Sequence, residues 1–232
     1  LVCYRVGVKI PGLLGAQDAH SNETFSLKLL YICLHRHAIM EYLIKTRSIG
    51  GMTEEQFFQF CQENGSINFE RNAAGDIILM EPTGTKTGWH NANIATELVI
   101  WNRRSGSGLV FDSNTGFTLP NMAVRSADVA YIRKERWQQI DEDDKKRFAH
   151  ICPDFVIELL SESDSEPSAQ DKMKEWIHNG CSLAWTINPK KRETTIYRAN
   201  GKTEFRAFNE TLSGEEVLPG FELNLDAIFT EV

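Results

Sequence analysis

The chain is 232 residues long, 41% hydrophobic and 25% charged, with 13 Phe and 5 Trp. That is enough apolar material for a sizeable core, and it excludes a disordered or fibrous chain. A net charge of −7 argues against a protein that holds nucleic acid passively on a basic surface, though not against an enzyme that meets phosphate through a bound cation.

The charge is uneven. Residues 1–51 hold six Lys/Arg against three Asp/Glu, whereas the remainder holds 19 against 29. The five cysteines (Cys3, Cys33, Cys61, Cys152 and Cys181) are odd in number, far apart and form no C-x-x-C pair. This fits a reducing compartment and argues against a Cys-rich zinc site. The apolar stretch 25–44 is interrupted by Lys28, His35, Arg36, His37 and Glu41. It therefore reads neither as a bilayer span of about 20 residues nor as a signal peptide, and a cytoplasmic protein without membrane contact is expected.

In chain order, residues 1–51 carry no strong hydrophobic period and end in Ile49-Gly50-Gly51. Met52-Thr53-Glu54-Glu55 then reads as a fresh start, with Thr53 as a helix N-cap and acids in the first turn. Two parts are expected: an N-terminal extension outside the native domain, 1–51, and the domain proper, 52–232. Within the latter, 66–70 and 76–80 predict two strands around the turn Asn72-Ala73-Ala74-Gly75. A loop over 82–88 leads to a helix over 90–103, with His90, Ile94, Leu98 and Trp101 on one face. The segment 109–119 predicts a hairpin-like pair of strands, 124–133 one strand, and 135–148 a charged helical stretch. A short apolar strand over 155–160 precedes a helix over 169–179 that ends at Gly180, and two further strands follow at 183–187 and 194–198. Leu218-Pro219-Gly220-Phe221 leads into a C-terminal helical turn. This alternation predicts an α/β domain with a mixed sheet and helices against it.

Two carboxylates stand where they are expensive. Glu158 lies inside Phe155-Val156-Ile157-Glu158-Leu159-Leu160, a run that suits a strand covered on both faces. Burying it costs several kcal/mol unless a cation, a metal or a set of donors meets it. The alternative is a strand-end Glu that reaches water or a structural Arg. Strand alternation puts Asp154 on the same face as Glu158. Asp128 lies in a second β-rich run, Val124 to Ile132, where Asp is disfavoured; the alternative there is a turn residue. Two carboxylates converging from neighbouring strands suit a hard divalent cation. On the following helix Met173, Trp176 and Ile177 form the buried stripe, and Lys172 and Lys174 flank it on opposite sides, so periodicity leaves open which one points at the carboxylates. His90 shares a helical face with apolar residues, and Glu70 and Asp76 bracket the first hairpin. There is no G-x-S-x-G, H-E-x-x-H, P-loop or G-x-G-x-x-G.

Taken in order, Phe69-Glu70, Gly75-Asp76-Ile77-Ile78-Leu79-Met80, His90, Asp112 to Phe117, Arg125-Ser126-Ala127-Asp128-Val129-Ala130, Pro153 to Ser161, Lys172 to Trp176 with Gly180, and Leu218-Pro219-Gly220-Phe221 resemble the Uma-two family of endonucleases over about 52–229. Residues 1–51 have no counterpart in it. The resemblance implies the PD-(D/E)XK, restriction-endonuclease-like fold, an α/β (α+β) core with a central mixed sheet flanked by helices. It also implies hydrolysis of phosphodiesters with Mg²⁺ or Mn²⁺. By position, Asp128 resembles the signature Asp and Glu158 the second acid. The signature lysine would fall at Leu160; the family supplies it from the next helix, and alignment on Trp176 and Gly180 selects Lys172. A further departure is Ala127, where the family has Pro.

The expected site therefore has Asp128, Glu158 and Lys172 as catalytic residues, with Asp128, Glu158 and Glu70 holding the metal. His90, Asp154 and Lys174 are in supporting or substrate-binding positions. The expected partner is nucleic acid, DNA in the first place, with a homodimer as the candidate assembly. The competing expectation is a catalytically silent nuclease-fold module that binds nucleic acid or protein.

Overall fold

The computed structural model describes residues 42–230, apart from 47 and 49. Strand β1 (Tyr42–Ile44) comes first, then helix α1 (Glu54–Glu63). A capping box closes the start of α1: Gln56 N donates to the Thr53 hydroxyl at 3.2 Å, and Thr53 N donates to the Gln56 side chain at 2.9 Å. Strands β2 (Asn68–Arg71) and β3 (Ile77–Met80) form the expected hairpin, whose turn is fixed by Asn72 Oδ1 accepting from Ala74 N and Asp76 N. Helix α2 (Thr85–Ser105) starts earlier than the sequence predicts, so Gly88 is helical rather than in a loop. Gly there costs about 1 kcal/mol relative to Ala, and burial of His90, Ile94 and Leu98 outweighs it. Gly106, at φ +61°, ends the helix.

Strands β4 (Gly108–Asp112) and β5 (Gly116–Thr118) do not form the expected hairpin. Asp112 Oδ1 accepts from Asn114 N and Thr115 Oγ1, and this turn sends the chain from one sheet into another. β5 pairs with β6 (Val124–Ser126), whereas β4 pairs with β7 (Val129–Arg133). The single strand expected over 124–133 is thus broken at Ala127-Asp128, where the chain crosses between the sheets. Helix α3 (Lys134–Gln138) is short. The acid run 141–144 repels itself in a longer helix, and only a 3₁₀ turn, Asp144–Lys146, follows it.

The chain continues through β8 (Phe155–Leu159), α4 (Glu166–His178), β9 (Leu183–Asn188), β10 (Glu193–Arg198), β11 (Thr203–Ala207), β12 (Leu212–Ser213), β13 (Glu222–Leu223) and α5 (Leu225–Phe229). Among the described residues there is one six-stranded sheet in the order β11-β10-β9-β8-β7-β4, and one five-stranded sheet in the order β1-β3-β2-β6-β5. The larger sheet is mixed: β8 and β9, joined through α4, run parallel, and its other neighbours run antiparallel. Ile94 and Leu98 of α2 pack with Leu183, Trp185 and Ile187 on one face of it, while Met173 and Trp176 of α4 pack with Val156 and Ala184 on the other. Helix α1 covers the smaller sheet through Phe57, against Ile77 and Val124. The mixed sheet with helices on both faces is the expected fold class.

Residues 1–41 of the expected N-terminal extension lie outside the described residues. Its end is a strand: Tyr42, Leu43 and Ile44 pair with Leu79, Ile78 and Ile77, and the Thr46 hydroxyl donates to Gly75 O at 2.7 Å. Among the described residues no helix is long and apolar enough to cross a membrane.

Candidate active site

The break between β6 and β7 sets Asp128 at the junction of the two sheets. Val129 faces Ile157 in the antiparallel β7–β8 register, so one step further the pair is Asp128 and Glu158. Leu159 N, immediately after Glu158, donates to Asp128 Oδ2 at 2.7 Å. The two carboxylates that the sequence singles out are therefore neighbours. Helix α4 lies over them. Its fully buried Met173 and Trp176 fix its rotation and turn Lys172 inward, with Nζ 2.9 Å from Glu158 Oε1 and 3.0 Å from Glu70 Oε1. This settles the choice that periodicity leaves open. Lys174, expected in a supporting position, points to solvent and pairs with Asp171 at 3.1 Å.

Glu70, 2% exposed, arrives from the smaller sheet and is held on every side. Its Oε1 accepts from Ser126 N at 3.0 Å, and Arg125 Nη1 donates to Oε2 at 2.8 Å. Arg125 Nε donates to Glu175 Oε2 at 2.6 Å, and Asn121 Nδ2 donates to Glu175 Oε1 at 2.9 Å. Glu70 was expected in the metal shell. In this structure its oxygens meet Arg125 and Lys172, so Glu70 holds the Lys172 ammonium.

The charges explain the directions in which these groups shift. Burial alone would raise the Glu70 carboxyl, but Lys172 and Arg125 overrule it and hold the group below its usual value. Burial likewise pulls the Lys172 ammonium down, and Glu158 and Glu70 more than reverse this, so Lys172 stays protonated. Burial raises Asp128 despite its bond from Leu159 N. Burial also pushes Glu158 up to about 8; Lys172 opposes the shift and the Asp128 charge adds to it. Glu70, Asp128, Glu158 and Glu175, with Asp164 near Asp128, outnumber Lys172 and Arg125, and this surplus of acid groups is felt at Asp128 and Glu158, whose carboxyls are raised.

That surplus is an observation about what the site fits. Glu158 Oε1 is buried and touches the Lys172 ammonium without a well-directed hydrogen bond. Hard carboxylate oxygens with unbalanced charge suit Mg²⁺ or Mn²⁺, which take one or two protein carboxylates and fill their other positions with water and substrate phosphate. Among the described residues no group of three or more His, Cys, Asp or Glu side chains is arranged to hold a metal.

His90 is not part of this cluster. It stacks on Phe229 at 4.1 Å and is 5% exposed, and burial, with Lys86 nearby, holds its imidazole below the usual value. Its described contacts are those of core packing, away from the phosphate or metal ligand that the sequence reading assigns to it. Asn91, one residue on, reaches the site instead: its Nδ2 donates to Asp128 Oδ1 at 3.3 Å. Asp154, expected in a supporting position, lies just before β8, at the end away from Glu158. Its Oδ2 accepts from Arg133 N at 2.9 Å, and Arg136 Nη1 lies 3.0 Å from Oδ1. Sequence reasoning missed Asn91, Arg125 as an anchor, and Glu175. The available signal was spacing: Glu175 is three residues after Lys172, hence on the same side of α4.

A family model described as Uma2, "Putative restriction endonuclease", matches residues 54–226. A comparison with curated protein sequences finds no match. Among solved structures, the chain is similar to one titled "a putative nuclease belonging to DUF820" from Anabaena variabilis, at 17% identity and a TM-score of 0.59, covering 69% of this chain and 89% of that one. At that identity the likeness speaks for the fold.

Proposed function

The chain belongs to the Uma2 family, and from that premise we propose that it is a nuclease hydrolysing phosphodiester bonds of nucleic acid, DNA in the first place, with Mg²⁺ or Mn²⁺ held by Asp128 and Glu158. The observation that carries this reading is geometric: Asp128 and Glu158 meet on neighbouring strands, where Leu159 N donates to Asp128 Oδ2, and the Lys172 ammonium lies 2.9 Å from Glu158 Oε1. A bound divalent cation would supply polarisation of the scissile phosphate and a water of lowered pKa.

The chain's own groups do the rest. Lys172, fixed between Glu70 and Glu158, presents its ammonium toward the oxygens where charge develops. Glu70 keeps that ammonium in place, and Arg125 with Glu175 keeps Glu70 in place. Asn91 and Leu159 N fix the rotation of the Asp128 carboxylate. Because these donors are set by strands and by the packed helices α2 and α4, little reorganisation is needed during the reaction. A cytoplasmic location and a homodimer complete the proposal. The dispersed cysteines support the first: Cys61, Cys152 and Cys181 are free.

The test is cleavage of supercoiled plasmid by the full chain in Mg²⁺ and in chelator, with isothermal titration of Mn²⁺ alongside. Wild type nicks or linearises the plasmid only with the metal, and Asp128→Ala loses both cleavage and Mn²⁺ binding. Equal cleavage by wild type and Asp128→Ala rejects the assignment. Nucleic-acid binding without any divalent site leaves the silent binding module as the reading.

A further inference from the structure

The strand registers place a line of side chains across the face of the larger sheet that α4 covers. Glu158 on β8 faces Thr186 on β9, Thr186 faces Thr195 on β10, and Thr195 faces Phe205 on β11. Directly opposed residues share a face, so the catalytic carboxylate, two hydroxyls and one aromatic ring form a single row. With strands about 4.8 Å apart, the ring stands about 14 Å from Glu158. That is about four stacked nucleotides at roughly 3.4 Å each.

Beyond Glu158, the Thr186, Thr195 and Phe205 end of the row floors a groove of about 320 Å³, with Gln170 of α4 on its wall. Phe205, in the edge strand, is 65% exposed at its far end. A ring that exposed contributes little to the core and leaves a face available for stacking. The groove's charged lining is Glu166, Lys191 and Glu193, and Lys191 is spent on Glu166 at 2.6 Å. The balance is negative, so a phosphate is disfavoured here. A base is favoured, since it is uncharged, offers a π-face to Phe205 and presents edge groups to the hydroxyl of Thr195 and the amide of Gln170.

We propose that this groove is the subsite for the base of an unpaired nucleotide, stacked on Phe205, on the strand whose phosphate lies at Asp128 and Glu158. The proposal rests on the nuclease reading above and deepens it, since it makes Phe205 a substrate-positioning residue and favours single-stranded or frayed nucleic acid over intact duplex.

The test is fluorescence anisotropy with a labelled single-stranded oligodeoxynucleotide, the full chain and Ca²⁺ in place of Mg²⁺, using wild type, Phe205→Ala and Phe205→Trp. Phe205→Ala binds roughly 5- to 100-fold more weakly, and Phe205→Trp restores binding. The ratio of wild type to Phe205→Ala holds when salt is raised, because stacking releases no counterions. Thermal melting shows the same transition for all three chains, as expected for an exposed position. Equal affinity of Phe205→Ala and wild type overturns the subsite while leaving the nuclease reading intact. So does a drop from dimer to monomer on gel filtration of Phe205→Ala, which would assign the ring to a contact between copies. Failure of wild type to bind any oligonucleotide overturns both readings.

Discussion

Asp154 and Glu158 stand on one face of β8, about 13 Å apart at roughly 3.3 Å per residue, and their surroundings differ in one respect. Asp154 has more positive partners than it needs: the Arg133 backbone N–H, the Arg136 guanidinium and, at 3.9 Å, that of Arg133. Glu158 has less than it needs, because its one cation, Lys172, is shared with Glu70, and Asp128 adds a further negative charge. A satisfied carboxylate fastens the start of a strand between its neighbours. An unsatisfied one, buried at stability's expense, is where a divalent ion and a substrate phosphate have something to gain.

The largest effect that would sharpen this contrast is in Glu158→Gln. Plasmid cleavage in Mg²⁺ should fall to background while the chain remains folded, since the amide fills the same space and, unlike the carboxyl, carries no charge at any pH. If cleavage survives, the unsatisfied end is not the catalytic end. Lys172→Met should follow, with cleavage reduced roughly 100- to 1000-fold, the range for losing one preorganised donor. The loss should appear in the rate at saturating substrate, because Lys172 is placed to act on developing charge.

Asp154→Ala should reverse the pattern. It leaves the Arg133 N–H buried without its acceptor, at a cost of about 1–3 kcal/mol. Both guanidiniums are partly exposed and regain water, so they add little. Melting should fall by roughly 2–12 °C, with cleavage per folded molecule unchanged. A loss of cleavage without a loss of stability would erase the distinction between the two ends.

Much of this site was legible before the fold. A carboxylate in the run Phe155 to Leu160 announces itself because a strand's burial pattern is local, and Asp128 did so for the same reason. The order of family-like residues then selected Lys172. What stayed hidden depends on contacts distant in sequence. That Glu70 is held by a guanidinium depends on Arg125, 55 residues away. His90 and Asn91 differ by one helical step, and only the packing of Phe229 tells which of them faces the core. The divergence of β4 and β5 into different sheets is set by their partners β7 and β6 rather than by the turn sequence between them.

The contrast also has a pH signature. The folded-state pKa of Glu158, about 8, lies above its ordinary 4.5. Across that window the folded chain keeps a proton that the unfolded chain has released, so metal-free stability falls as pH rises from 4.5 to 8. Glu158→Gln should flatten this slope in a series of melting curves taken in chelator. A slope unchanged by the substitution would mean that the surplus charge lies elsewhere.

Lys174→Ala should do least. Lys174 is two residues from Lys172 on the same helix, carries the same charge and is 57% exposed, paired only with Asp171 at i,i+3. Such pairs contribute roughly 0.2–0.5 kcal/mol, and no carboxylate of the cluster depends on it. Cleavage and melting should match wild type within error. Because Lys172 and Lys174 are indistinguishable by composition and nearly so by position, this silence is what ties the effect of Lys172→Met to the place of its ammonium. A comparable loss in Lys174→Ala would mean that α4 contributes general positive potential instead, and the pairing of Lys172 with Glu158 and Glu70 would then have no special part in the chemistry.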